Sequence, residues 1–146
     1  VTTRAQVESE IVARLGGWLT AAGLDGRTTD GTNADLASPI AWAIGQSGGS
    51  IADPSDPNDA DLATATGAAA QVSDLAEYRA LLNVYQNYTK VDVSAPAGSV
   101  KKDQLRQAMW AAILRKQASL RLVYGIEVGA AFAAATSSSV GNRFVW

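Results

Sequence analysis

Apolar residues recur at intervals of three and four along most of this chain, the spacing that lines one face of an α-helix. Val7, Ile11, Leu15, Trp18 and Ala22 trace one such face, and Thr3-Arg4-Ala5-Gln6 ahead of them has the form of a capping box. The spacing predicts a helix over residues 4–22, closed by Gly23. Residues 23–38 hold two Asp-Gly pairs among Thr and Asn, which is turn chemistry, so a connecting loop is expected there. Ser38-Pro39 then reads as a helix start, followed by Ile40, Trp42, Ala43 and Ile44 and stopped by Gly48-Gly49.

A second turn-rich connector, residues 53–61, contains Pro54 and Pro57, which exclude a helix interior. Asp56-Pro57 or Asn58-Asp59 is expected to cap a third helix carrying Leu62, Ala65, Ala69, Val72, Leu75, Tyr78, Leu82 and Tyr85 and running to about Thr89. Gly67 and Ser73 are the points where it would bend or break. Val91-Asp92-Val93 reads as extended and ends at Pro96-Ala97-Gly98. A fourth helix opens at Ser99, carries Leu105, Met109, Ala112, Ile113, Leu120 and Val123, and closes at Tyr124-Gly125. Trp110 and Leu114 lie on its flank, so its apolar surface is wider than one neighbour needs and a second contact face is expected.

After Gly125 the pattern changes to Ala, Gly and Ser, with Phe144 and Trp146 among the last three residues. Large aromatics stabilise only when buried, so a partner is expected to bury them. The expected architecture is therefore all-α: a four- to five-helix bundle over residues 1–125 with an extended C-terminal arm over 126–146. The Ala-rich middle of the arm is the candidate fifth helix.

Composition narrows the chemistry. At 146 residues with 47% apolar and 18% charged side chains, the chain can bury a core and is not a disordered polyelectrolyte. It has no Cys, which removes disulfides and thiolate chemistry, and no His, which removes the commonest general base and metal ligand. No enzymatic activity, cofactor or metal is expected. No apolar run approaches the ~20 residues of a membrane span and the first residues lack an apolar signal core, so a chain made and kept in a cytoplasm, away from membranes, is expected.

The net charge of −2 divides unevenly: residues 1–98 hold five basic and twelve acidic side chains, residues 99–146 seven and two. Solvated faces account for such runs in many proteins. The sharper alternative is an acidic part of one copy meeting the basic part of the next.

Asp53, Asp56, Asp59 and Asp61 are the one candidate cation cluster, but they lack the EF-hand Gly and Glu positions, and capping with turn formation explains them better. No Ser or Thr has a His to activate it, and Lys101-Lys102 follows no glycine-rich phosphate loop. Lys101, Lys102, Arg106, Arg115, Lys116 and Arg121 form a basic stripe interleaved with Trp110, which raises nucleic-acid binding; a sequence pI near 5.0 weighs against it. Trp18, Trp42, Tyr78 and Tyr85 sit in apolar stripes and read as core. Trp110, off the main stripe, is the first candidate interface anchor.

The run Pro39-Ile40-Ala41-Trp42-Ala43-Ile44-Gly45 after an Asp-Gly-rich loop, Asp74-Leu75-Ala76-Glu77-Tyr78-Arg79-Ala80-Leu81-Leu82 leading into Asn87-Tyr88-Thr89-Lys90-Val91-Asp92, and the basic last helix ending Arg121-Leu122-Val123-Tyr124-Gly125 resemble the small helical head-tail connector (adaptor) proteins of long-tailed bacteriophages. The resemblance spans about residues 4–125. It implies a virion protein of the neck, at the capsid-tail junction, assembled as a ring of typically twelve copies beneath the portal protein and above a tail or stopper protein. DNA would pass through the channel without specific binding. Arg143, Phe144 and Trp146 would anchor the arm, and Trp110, Arg106, Arg115, Lys116 and Arg121 would contact neighbouring subunits or partners. The alternative is a small monomeric helical module, regulatory or nucleic-acid-associated, that uses the basic stripe.

Overall fold

The computed structural model describes residues 2–88 and 96–128, and within them the chain is a bundle of five helices without strands. These are α1 (Arg4–Ala21), α2 (Ala34–Gln46), α3 (Asp59–Ala63), α4 (Ala69–Tyr88) and α5 (Pro96–Tyr124). None of them is long and apolar enough to cross a membrane. The expected arm anchors Arg143, Phe144 and Trp146, and the extended reading of residues 91–93, lie outside the described residues.

Helix α1 starts where its sequence predicts. The Thr3 hydroxyl accepts from the Gln6 N–H (3.2 Å), and the Gln6 amide oxygen accepts from the Thr3 N–H (2.9 Å), so each satisfies a donor the helix leaves open. At the other end Gly23, at φ +80°, closes the helix as its N–H meets the Thr20 carbonyl and the Leu24 N–H meets the Leu19 carbonyl.

Helix α2 begins earlier than Ser38-Pro39 implies. Asn33 is the cap, accepting from the N–H groups of Asp35 (3.0 Å) and Leu36 (3.2 Å) while its own amide donates to the carbonyls of Asp25 and Thr28. The extra turn buries Leu36 and Ala37, and Pro39 is accommodated inside the helix. Apolar burial plus a fully bonded cap here outweighs the backbone donor that proline lacks.

The long third helix predicted to follow a cap at Asp56-Pro57 or Asn58-Asp59 is two helices. Asn58 caps α3 through a second box with Asp61, and the chain breaks at residues 64–68, bracketing Gly67. The break has a structural use: the N–H and hydroxyl of Thr66 both donate to the Ser47 carbonyl at the end of α2 (2.9 and 3.0 Å), and the Thr64 hydroxyl accepts from the Ser50 N–H (2.8 Å). Helix α5 starts at Pro96 instead of Ser99 and ends at Gly125, which sits at φ +70°.

Helix α4 is the axis of the bundle, packed by α1, α2 and α5. It is accordingly buried around most of its circumference, from Val72 and Leu75 to Tyr78, Leu81, Leu82 and Val84. Val7, Ile11, Leu15 and Leu19 come from α1, Leu36, Ile40, Ala43 and Ile44 from α2, and Met109, Ile113 and Leu120 from α5. Trp42 lies 6.2 Å from the Tyr78 ring, with the Arg79 guanidinium 5.4 Å above it, so it serves the core as expected.

Candidate interaction surface

A buried ionic knot holds the acidic end of the molecule. Arg4 is 4% exposed and donates to Glu8 (3.0 Å), to Asp56 (2.8 Å) and to the carbonyls of Pro57 and Asn33. Glu8, fully buried, also accepts from the N–H groups of Gly31 (2.7 Å) and Asn33 (3.0 Å). The Arg4 N–H donates to Asp59 (2.8 Å). The acidic residues of the second connector are thereby committed to structure: Asp53 closes a turn with Ser55, Asp56 and Asp59 hold Arg4, and Asp61 completes the α3 cap. Among the described residues no three acidic groups are placed to hold a metal ion. Beside the knot lies an open cleft of about 420 Å³ rimmed by the exposed carboxylates of Asp30, Asp56 and Asp59.

Bonds to neighbouring hydroxyl and N–H groups hold the loop carboxyls of Asp25, Asp30 and Asp53 below their ordinary range. Thr28 does so first for Asp25, Thr32 for Asp30 and Ser55 for Asp53.

Helix α5 is where the sequence places the candidate contacts, and the structure sorts them into three faces. The first meets α4. Met109, Ile113 and Leu120 are buried there, and Lys116 reaches Asp74 (3.1 Å) and Glu77 (2.9 Å). Arg14 of α1 closes the set on Glu77 at 2.6 Å, and this bond foremost holds its guanidinium above the ordinary arginine value. Tyr124 donates to Asp74 (2.6 Å) and Gln117 to the Tyr78 hydroxyl (3.1 Å). Burial, then the bond to the Asp74 carboxylate, pushes the Tyr124 phenol up to about 12. Lys116, expected at an external contact, is instead an internal strut. Its position shows why: it lies three residues after Ile113 and four before Leu120, on the buried stripe.

The second face is a ridge of Trp110, Leu114 and Ala118, four residues apart. Trp110 stacks obliquely on Tyr85 at 5.5 Å and keeps 37% of its surface exposed; Leu114 keeps 48%. Beside this ridge residues 126–128 fold back on the helix, enclosing a groove of about 130 Å³ lined by Leu114, Ala118 and Arg121 on one side and Ile126 and Val128 on the other. Val128 is buried in that return.

The third face points away from the bundle and carries Arg115, Leu122 and Val123, the last two 83% and 65% exposed. Arg106 sits at the edge of α5 paired with Asp103 (3.3 Å), and Arg121 leans to Glu127 (3.8 Å), both pairs solvent-exposed and therefore weak. The structure thus brings Arg115 beside two exposed aliphatics, puts Trp110 on a different side of the helix, and pairs Lys116 with Asp74 and Glu77 on the inner side.

Sequence reasoning missed both ionic assemblies. Arg4 and Glu8 stand at i,i+4, a legible pair, but their partners Asn33, Asp56 and Asp59 are far along the chain. Glu77 carried a signal in its register: with Asp74 it forms an i,i+3 carboxylate pair on one side of α4.

No protein-family model, curated protein or solved structure matches this chain.

Proposed function

We propose that the protein is a non-enzymatic structural subunit, a head-tail adaptor that forms a ring beneath a phage portal and joins capsid to tail around the DNA channel. The observation that carries this reading is the outer face of α5, where Leu122 and Val123 stand exposed beside Arg115. Isolated surface leucines are ordinary, but adjacent aliphatics at 83% and 65% exposure beside a cation have the make-up of an interface patch. The acidic cleft of Asp30, Asp56 and Asp59 supplies the opposite charge elsewhere on the same subunit. Two different, complementary patches on one chain are what a head-to-tail ring uses. The resemblance in sequence organisation to phage connectors points the same way.

The test is native mass measurement of the full chain, alone and with the portal protein encoded beside it, for the wild type and for Arg115→Glu/Leu122→Asp. A high-mass ring complex from the wild type, lost in the double variant while its helical signal and melting midpoint are retained, supports the adaptor. A wild type that stays monomeric, ignores the portal and binds DNA with log affinity falling against log salt rejects it and favours the nucleic-acid module.

A further inference from the structure

We infer that the projecting start of α5, residues 101–107, docks in the acidic cleft of a second copy of this chain. The inference rests on the head-to-tail reading above and names the element that meets the cleft, leaving the outer face of α5 to the rest of the assembly.

Three contacts fix how α5 lies on α4. Tyr124 meets Asp74, Gln117 meets Tyr78 and Trp110 stacks on Tyr85, so the two helices run antiparallel in even register. Tyr88, the last described residue of α4, therefore stands opposite Gln107 or its neighbours. At 1.5 Å per residue, the roughly ten residues of α5 ahead of that point project about 15 Å past the described end of α4. The projection is basic. Residues 96–107 hold Lys101, Lys102 and Arg106 against the single acid Asp103, and Lys101 and Arg106 are exposed.

The acidic cleft lies at the other end of the bundle. Thr2, Leu62, Ala68 and Val72 line one groove, which puts the start of α1 against the start of α4, and the cleft is built on that same start of α1. The 20 residues of α4, about 30 Å, separate the cleft from the projection. That is about three Debye lengths at 0.1 M salt, so the two charges of one subunit do not satisfy each other.

Each end has what the other lacks. In the cleft Arg4 offsets one of the three carboxylates Asp30, Asp56 and Asp59; on the projection Asp103 offsets one of three cations. The cleft, of about 420 Å³, is open to a Lys or Arg side chain, and Ala5, Pro57 and Ala60 give its aliphatic stem apolar surface to lie on. A net surplus of two cations releases few counterions from a nucleic acid, so a discrete acidic pocket is the better-matched partner, and this chain supplies one.

The test follows the full chain, without the portal, by sedimentation at low and high salt. Lys101→Glu/Arg106→Glu reverses the projection, and Asp30→Lys neutralises the cleft through the one rim carboxylate that does not bond Arg4. The wild type is expected to self-associate, more strongly at low salt, and each variant alone to do so roughly tenfold more weakly while keeping its helical signal and melting midpoint. Mixed in equal amounts, the two variants should form a one-to-one pair at wild-type affinity and grow no further, the intact projection of one seated in the intact cleft of the other. A wild type that stays monomeric at every concentration, an α5 variant that associates as the wild type does, or a mixture that fails to pair would each overturn the contact. Should Asp30→Lys not fold, the α5 variant decides alone. Loss of salt-dependent DNA binding in the α5 variant, in place of lost self-association, would make nucleic acid the occupant. The adaptor reading is decided apart from this, by the portal. Charge-dependent self-association without a portal complex keeps the contact and removes the adaptor; a portal ring unaffected by Lys101→Glu/Arg106→Glu does the reverse.

Discussion

On the side of α4 that faces α1 and α2, the bundle is an apolar layer: Val7, Ile11, Leu15 and Leu19 from one helix and Leu36, Ile40, Ala43 and Ile44 from the other are all buried. On the side that faces α5, the longest helix at 29 residues, the buried apolar contribution is Met109, Ile113 and Leu120. The remainder of that seam is polar, with Lys116 between Asp74 and Glu77, Tyr124 on Asp74, and Gln117 on Tyr78. Apolar burial is non-directional and carries no titratable or screened charge, whereas ion pairs and hydrogen bonds fix one register, and ion pairs respond to pH and to ionic screening. The body is therefore expected to open as one cooperative unit, and α5 to be loosened separately.

The largest effect is expected within the body, at the ionic knot that ties α1 to the two loops. Glu8→Ala leaves the buried Arg4 with its cation only partly compensated and strips the Gly31 and Asn33 N–H groups of their acceptor. Breaking one partner of a buried pair costs about 3–5 kcal/mol, and the whole bundle is expected to lose that much in denaturant unfolding. A loss below about 1 kcal/mol would show that water replaces the carboxylate and that the knot is not a structural centre.

The next effect separates the two sides. Lys116→Met keeps the packing of the side-chain stem and removes one cation, leaving Glu77 with Arg14 and Asp74 with Arg14 and the Tyr124 hydroxyl. At 15% exposure the pair lies between surface and fully buried cases, so about 2 kcal/mol is expected. In native-state hydrogen exchange this appears as roughly 30-fold faster exchange confined to α5, with α1 and α2 amides unchanged. Uniform acceleration across all helices would mean that α5 and the body open together.

Smaller still is the expected effect of Tyr124→Phe, about 1 kcal/mol from the lost hydroxyl bond to Asp74. The tyrosine also gives the seam a pH response. Its folded value of about 12 stands above the ordinary 10.0, so its contribution is full below pH 10 and is lost as pH rises from there toward 12. The wild type should lose stability over this window relative to Tyr124→Phe, measured as the difference in unfolding midpoints. A difference between the two proteins that stays constant from pH 9 to 12 would show that the phenol is not the group responsible.

What could be read in the sequence followed the range of the interaction. The capping box of Thr3 and Gln6 and the Gly23 and Gly125 stops rest on neighbours within a turn or two, Gly67 marks the break although the bonds of Thr66 and Thr64 there to Ser47 and Ser50 are long-range, and the all-α bundle follows from periodicity. The start of α2 was misread because Pro39 is a strong local signal, while the cap at Asn33 depends on a loop folding back to Asp25 and Thr28. Trp110 and Leu114 on a second side of α5 were legible from helical spacing. The role of Lys116 was legible too, since its register puts it on the buried stripe, but its charge drew it into the external basic set. The Arg4 knot was not legible, because Asp56 and Asp59 approach it across more than fifty residues.

The smallest effect on stability belongs to Arg115, and it sharpens the contrast because Arg115 and Lys116 are adjacent in sequence and carry the same charge. Arg115 is exposed and holds no ion pair among the described residues. Arg115→Glu is therefore expected to shift the unfolding free energy by no more than about 0.5 kcal/mol, the range for surface substitutions away from special features. The same reversal on the outer face would oppose an acidic partner surface, and like-charge contacts across an interface cost far more than that. A variant that melts as the wild type does, yet fails to enter a ring-mass complex with the portal, would assign Arg115 to association and Lys116 to the fold. Should Arg115→Glu destabilise the monomer as much as Lys116→Met does, the division of α5 into an inner clasp and an outer contact face would be wrong.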